Sequence, residues 1–354
     1  MSEDQPRVLT ASVHDFRYFA ALLRGVNFAN RASVSITPDG FTVTVEEARC
    51  LTATAFVFSH VFDEFVYNPD AARPSQRSQP EDDDDELTAT AFEIPLGTLM
   101  DCLNIFGTAG LAPGTSQKKK KSQADGDDSD GGRGSGRAGG KGKGRADADD
   151  VSGNARLDQW FAPGKGTGMR MSYAGPGHPL TLLVAEESGG PTATCEITTW
   201  DPEPRLELAF DSDAVVLKII LKSSWLRDAL SEIDPSTEKL TIIGNPPPPP
   251  GRAARSSAPP CFRLKAVGQF GSTEMDYPND REVLETCECA HPVAFTYKFS
   301  HITRALRALQ SSLKASLRID DEGLLSLQFM MPAPRRPGRR SQAFIEFWCL
   351  PLDE

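Results

Sequence analysis

The hydrophobic positions follow two periods along the chain. In residues 13–24, Phe16, Phe19, Ala20 and Leu23 recur at helical spacing behind a capping Ser12, which predicts a helix with one apolar face. The period then shortens to two, and residues 32–37 and 41–45 read as strands. Pro38-Asp39-Gly40 lies between them, where proline presets its own φ and glycine accepts a positive one, so a tight turn is expected. Strands come next at 53–59 and 91–94, then a helix over 96–106 and strands at 169–173, 180–185 and 193–200. The order then starts again. A strand at 215–221 precedes a helix over 225–233, strands at 240–243, 261–267, 273–276 and 295–299, a helix over 301–313, and strands at 315–319, 324–329 and 343–349. Both halves are β-rich, with one early and one central helix, so the pattern predicts a duplicated α+β unit.

Four stretches break this pattern and read as surface insertions. Residues 68–88 carry the acidic run Glu81-Asp82-Asp83-Asp84-Asp85-Glu86. Residues 112–165 mix Lys118–Lys121 with Gly, Asp, Arg and Ser, and this composition cannot bury a core, so disorder is expected there. Residues 245–260 are proline-rich, and residues 332–340 are basic and proline-rich.

Composition narrows the class without settling it. The chain has 354 residues, of which 39% are hydrophobic, room enough for two ordinary domains with real cores. The start of the chain has no basic, apolar leader pattern, and no window is long and apolar enough to span a bilayer. Seven cysteines without a framework of spacings fit a reducing compartment. The net charge of −11 is partly a local matter, since the 81–86 run alone supplies six negative charges. Local charge placement, not the total, has to decide whether nucleic acid is a partner.

Local placement is suggestive on the helices. His14, Arg17, Ala21 and Arg24 fall opposite the apolar face of the first helix. In 301–313, Ile302, Leu306, Leu309 and Leu313 make an apolar face, with Arg304 and Arg307 opposite and Ala308 and Ser311 beside them. In 225–233, Leu226, Leu230 and Ile233 point inward, Arg227 points outward, and Lys222 stands just before the helix. Arginines and lysines on exposed helix faces can bind phosphate backbones without reading sequence, although such charges more often just solvate a helix.

Enzymatic chemistry has little to stand on. Cys287-Glu288-Cys289 with His291 lacks the second ligand pair of a zinc site, and no metal or other cofactor is expected. A nuclease needs carboxylates converging on metal ions. Asp82–Asp85 sit in an acidic loop, Asp211 and Asp213 beside a polar stretch, and Asp320 and Asp321 before Gly323 in a turn. The Gly164-Lys165-Gly166-Thr167 and 140–145 segments do not match a phosphate loop between strand and helix. Lys118–Lys121 is a possible nuclear-import signal or weak DNA tether.

Several segments, in order along nearly the whole chain, resemble the PCNA-like sliding clamps and, within them, the Rad-one/Rec-one subunit family of the checkpoint (nine-one-one) clamp. They are Gly40-Phe41-Thr42-Val43-Thr44-Val45-Glu46-Glu47-Ala48-Arg49-Cys50, Leu99-Met100-Asp101-Cys102-Leu103-Asn104-Ile105-Phe106-Gly107 and Tyr173-Ala174-Gly175-Pro176-Gly177-His178-Pro179-Leu180. Leu226-Arg227-Asp228-Ala229-Leu230-Ser231-Glu232-Ile233-Asp234, Gly323-Leu324-Leu325-Ser326-Leu327-Gln328 and the tail Trp348-Cys349-Leu350-Pro351-Leu352-Asp353-Glu354 continue the match.

The resemblance implies an α+β DNA-clamp fold of two similar domains, 1–199 and 214–354, with sheets outside and two pore-facing helices in each, joined by a connector at 200–213. It implies a non-enzymatic, nuclear subunit of a heterotrimeric ring, with two related subunits as neighbours, that acts in the DNA-damage checkpoint and repair. Double-stranded DNA would pass through the pore, a clamp loader would open the ring, and signalling and repair proteins would dock on it. Arg17, Arg24, Lys222, Arg227, Arg304 and Arg307 become the candidates for phosphate contact, although the 96–106 helix carries Asp101 and Asn104 and no basic residue. Partner segments would dock at Leu206, Leu208, Cys349, Leu350, Pro351 and Leu352, and subunits would join through edge strands 193–200 and 272–278. The alternatives are a 3′-to-5′ DNA exonuclease, a label this family has carried, and a homotrimeric replication clamp.

Overall fold

The computed structural model describes residues 7–72, 89–107, 167–185, 190–205, 207–247, 259–332 and 343–352. The 112–165 insertion, residues 73–88 of the acidic insertion, 248–258, 333–340 and Leu206 lie outside them.

Strand period begins earlier than the helical spacing suggests. Leu9, Ala11 and Val13 are buried and Thr10 and Ser12 are half-exposed, and these residues form β1 (Leu9–Val13). The helix predicted behind a Ser12 cap therefore starts later, as α1 (Arg17–Val26), with Phe16 at the cap position and no side-chain cap bond. The first half continues with β2 (Arg31–Thr37), β3 (Gly40–Glu47), β4 (Leu51–Phe58), β5 (Glu64–Tyr67), β6 (Thr90–Pro95), α2 (Leu96–Leu103), β7 (Gly168–Tyr173), β8 (Leu180–Ala185) and β9 (Thr192–Ile197). The second half contains β10 (Val215–Lys222), α3 (Ser223–Glu232), β11 (Thr237–Gly244), β12 (Phe262–Gly268), β13 (Gly271–Tyr277), β14 (Leu284–Cys289) and β15 (Val293–Lys298). It ends with α4 (Phe299–Ile302), a 3-10 turn at Thr303–Ala305, α5 (Leu306–Ser311), β16 (Lys314–Asp320), β17 (Leu325–Met331) and β18 (Ala343–Cys349).

The spacing did not reveal β5 and β14; both are short edge strands with little apolar alternation. The helix expected over 301–313 is split by the 3-10 turn. Ala308, expected beside the arginines, is fully buried, and Leu313, expected inside, lies beyond the helix end at Ser311 and is 39% exposed. The helix expected over 96–106 stops at Leu103. Part of the 68–88 insertion is ordered, with a 3-10 turn at Pro69–Ala72. The proline-rich insertion is closed at its base, where Asn245 donates from Nδ2 to the Pro260 carbonyl at 2.8 Å and from its backbone N–H to that of Cys261 at 2.9 Å.

All strand pairs are antiparallel and form three sheets. The orders are β5-β1-β7-β8-β9, β13-β12-β11-β15, and a nine-stranded sheet β14-β10-β16-β17-β18-β4-β3-β2-β6. The long sheet is composite. Its first five strands repeat the order of the first sheet, and its last four, β4-β3-β2-β6, repeat β13-β12-β11-β15. The two halves join where β18 pairs with β4, from Phe344 opposite Phe56 to Cys349 opposite Leu51. The counterparts of these two strands, β9 and β13, end their sheets.

The helices form a row in which α1 touches α2 on one side and α5 on the other, and α5 touches α3. The seat of α1 against β18 depends on a missing side chain. A Cβ on Gly25 would come within 2.4 Å of Ile345 Cδ1 and 3.5 Å of the Ala308 Cβ. Gly40 serves the predicted turn, with φ +143° and no room for a Cβ against the Val57 carbonyl.

Candidate nucleic-acid interface

The six basic candidates are not equivalent. Arg17 opens α1 but does not extend outward; its side chain is 18% exposed and bonds both carboxylate oxygens of Asp15, which together with Asp15's charge raises its pKa against the effect of burial. Ala21, expected beside it on the outer face, is buried at 4%, and His14 lies before the helix and pairs with Asp63 at 2.6 Å. The expected basic stripe on α1 is therefore not formed. The far side of α1 is covered by α5, a packing that helix periodicity cannot foresee.

The positive charge collects instead at the seam between halves. Arg24, in the last turn of α1, is half-buried, and its pKa is lowered by burial and by the neighbouring Arg307. Arg307 is exposed and donates to the carbonyl of Asn27 at 2.8 Å. Arg304 reaches across the seam to Glu47, with N–O distances of 2.8 and 2.9 Å and exposures of 42% and 28%. A surface pair of that kind contributes at most about 1 kcal/mol, so a phosphate can compete for the guanidinium. Gly25, Asn27, Phe28, Thr303, Arg304 and Arg307 line a cleft of about 520 Å³ here. Two arginines that repel each other beside an open cleft suit an anion better than any single surface charge does.

Toward the ends of the helix row the charge thins. Lys222 is exposed just before α3 and has no carboxylate in ion-pair range among the described residues. Arg227 is tied to its neighbour Asp228 at 2.8 Å. At the end of α2, Asp101 and the capping Asn104 are exposed.

The connector and the tail are held to their own chain by matching bonds. Trp200 and Glu93 exchange both backbone bonds, at 2.8 and 3.0 Å, and the Leu352 N–H bonds the Thr296 carbonyl at 2.7 Å. The buried Glu93 also accepts from the Glu203 N–H at 3.0 Å and pairs with Arg31 at 3.3 Å; Arg31 in turn pairs with Glu203 at 2.9 Å and lies 4.8 Å from the Trp200 ring centroid. No local signal marked Glu93 or Arg31, because their partners lie 62 to 172 residues away. Of the docking candidates, Leu208 is buried, Leu350, Pro351 and Leu352 are half-exposed, Cys349 is buried, and Leu206 is outside the described residues. The Leu350 N–H bonds the Cys50 carbonyl at 2.9 Å.

Of the carboxylates weighed for catalysis, Asp82–Asp85 lie outside the described residues, and Asp320 and Asp211 hold backbone. Asp320 is buried and accepts from the Leu324 N–H at 2.8 Å, and Asp211 accepts from Asp213 and Ala214 at 2.8 and 3.2 Å. Cys289 donates to the carbonyl of His291 at 3.0 Å. Among the described residues, no three His, Cys, Asp or Glu side chains converge on a metal position.

The chain is similar to proteins named for checkpoint control and for DNA repair. A human cell cycle checkpoint protein RAD1 is 30% identical over 352 residues, 99% of this chain and 94% of that protein. The DNA damage checkpoint control protein rad1 of Schizosaccharomyces pombe is 29% identical over 332 residues, 94% and 82% of the two chains. The DNA repair exonuclease REC1 of Mycosarcoma maydis is 26% identical over 445 residues, 98% and 96% of the two chains. The model of the repair protein family Rad1/Rec1/Rad17 matches residues 8–331, and the chain belongs to that family.

Proposed function

We propose that the chain is a non-enzymatic subunit of a heterotrimeric DNA sliding clamp that works in the nucleus in the DNA-damage checkpoint and repair. The carrying observation is the joint between halves. The β18–β4 pairing ties one half to the other, and the same two kinds of edge, β9 and β13, are left open at the ends. Unlike edges joined head to tail make a heterologous contact, which closes into a ring when the rotation closes. In this reading residues 1–199 and 214–354 are the two domains, 200–213 is the connector, and the helix row faces the pore.

Duplex DNA then passes the α1–α5 seam. Arg24, Arg304 and Arg307 meet phosphates there, with Lys222 and Arg227 farther along and Arg17 in a supporting place. The ring stays on DNA because it is closed, so a few cations suffice on a chain of net charge −11. A clamp loader opens it. Checkpoint and repair proteins dock near Leu206, Leu208 and Leu350–Leu352, and Leu350, Pro351 and Leu352 leave half-buried apolar surface on the tail.

The test is the mass of the purified chain, alone and mixed with the two related subunits, and then retention on circular and linearised DNA. A one-to-one-to-one complex lost from linear but kept on circular DNA is expected. A chain that joins neither subunit would sink the ring. The exonuclease reading has the name of the Mycosarcoma maydis relative in its favour. Metal-dependent release of nucleotides from 3′ ends, abolished by a carboxylate substitution in this chain, would establish it.

A further inference from the structure

The internal joint shows what an external joint of the same build must contain. Two equivalent backbone bonds, Phe16 N–H to the Thr167 carbonyl and Ser223 N–H to that of Leu313, set α1 on α3. This alignment matches buried Phe19, Leu23 and Val26 with buried Leu226, Leu230 and Ile233. It places Tyr18 with Trp225, Gly25 with Glu232 and Asn27 with Asp234. Likewise α2 and α4 each start directly after Pro95 and Lys298, which pair with Arg31 and Lys239 in equivalent strands. Arg304 then corresponds to Asp101, Arg307 to Asn104 and Ala308 to Ile105.

Positions sealed inside the joint are open at the ends. Tyr18 is 5% exposed and its counterpart Trp225 46%; Ala308 is fully buried and its counterpart Ile105 is 53% exposed. Each end thus presents an apolar anchor beside a free strand edge, which is the composition of a protein interface.

The charges decide which protein. Gly25, Asn27, Arg304 and Arg307 line one cleft at the internal joint. In a joint between two copies of this chain the same places would hold Glu232 and Asp234 from one copy and Asp101 and Asn104 from the other, all four exposed in the chain alone. These four positions would then hold three carboxylates and no cation. Asp234 is already held in its charged form by its bonds to Ser236. Like charges set against each other across an interface cost several kcal/mol and exclude that partner.

Resting on the clamp reading above, we propose that Glu232, Asp234 and Asp101 are specificity residues that keep this chain from closing a ring with itself. By the same chemistry, the neighbour that accepts the α3–β13 end is a related clamp subunit with a basic residue where this chain has Asp101, and an apolar site for Trp225.

The experiment uses the full chain in sedimentation equilibrium. The wild type is expected to stay monomeric. Glu232→Lys, and separately Asp101→Lys, sets a cation against the remaining carboxylates and should strengthen self-association by at least about tenfold, weakening again with salt. Adding Asp234→Lys to both substitutions sets three like charges at those positions again and should reverse most of the gain. All these residues are exposed, and an unchanged melting temperature will show that each variant is folded. Wild type that self-associates as strongly as the single variants overturns the proposal, as do folded single variants that remain monomeric. Such a failure is distinct from failure of the ring: wild type that joins its related subunits while the variants stay monomeric keeps the ring and removes only the self-exclusion.

Discussion

At the scale of single residues, arginines of similar sequence context have different work. Among the described residues Arg307 meets a carbonyl and the repulsion of Arg24, whereas Arg17 is bound on two edges by Asp15. Arg307→Ala should therefore weaken DNA binding by the assembled ring uniformly across sequences and lower the salt slope by about one. Arg17→Ala should leave that slope unchanged; equal effects from the two would contradict the seam as the phosphate site. His301 is 5% exposed, and its pKa is lowered by burial and then by Lys298, with Glu47 opposing and Arg304 adding. Because the folded value lies below the unfolded one of about 6.5, its contribution is present above that pH and is lost as pH falls through the folded value. The melting temperature should drop between about pH 7 and pH 5, and more steeply in wild type than in His301→Gln. Gly25→Val would press a branched side chain into Ile345 and Ala308, and should cost about 1–3 kcal/mol in denaturant unfolding.

At the scale of elements, the connector depends on one buried carboxylate. Glu93→Ala removes the acceptor of the Glu203 N–H and the partner of Arg31, and should destabilise by about 1–3 kcal/mol. The change should also speed proteolysis within 200–213; unchanged cleavage there would mean that the Trp200 backbone bonds hold the connector alone. The central strands were legible because Phe41, Val43 and Val45 in β3 alternate with Thr42, Thr44 and Glu46, and β18 is a continuous apolar run broken only by Glu346. The edges were not. β1 went unread: Leu9–Ala11 are too few to show a period, Ser12 and Val13 were placed at the start of a helix, and the pairing with β5 and β7 makes the strand.

At the scale of the molecule, the ring reading makes assembly and DNA retention one property. Tryptophan at 225 is the largest exposed side chain on α3, at 46%, and Trp225→Ala should weaken binding of the neighbour at that end by tenfold or more, about 1.4 kcal/mol. The opposite end should be untouched, which pairwise binding measurements with each related subunit can resolve.

The sequence by itself determined the duplicated β-rich unit, the turn at Gly40, the two exposed arginines Arg304 and Arg307, and the family. These are carried by local periodicity, backbone chemistry at a single residue, and ordered short matches, all of which survive in one dimension. Only the tertiary structure decided that the halves fuse through β18 and β4, that Arg24 and Arg307 repel each other at the seam, and that Glu93 holds the connector. Each of those depends on residues tens to hundreds of positions apart being brought within a few ångströms. No spacing rule along the chain encodes that distance; the packing of one half against the other sets it.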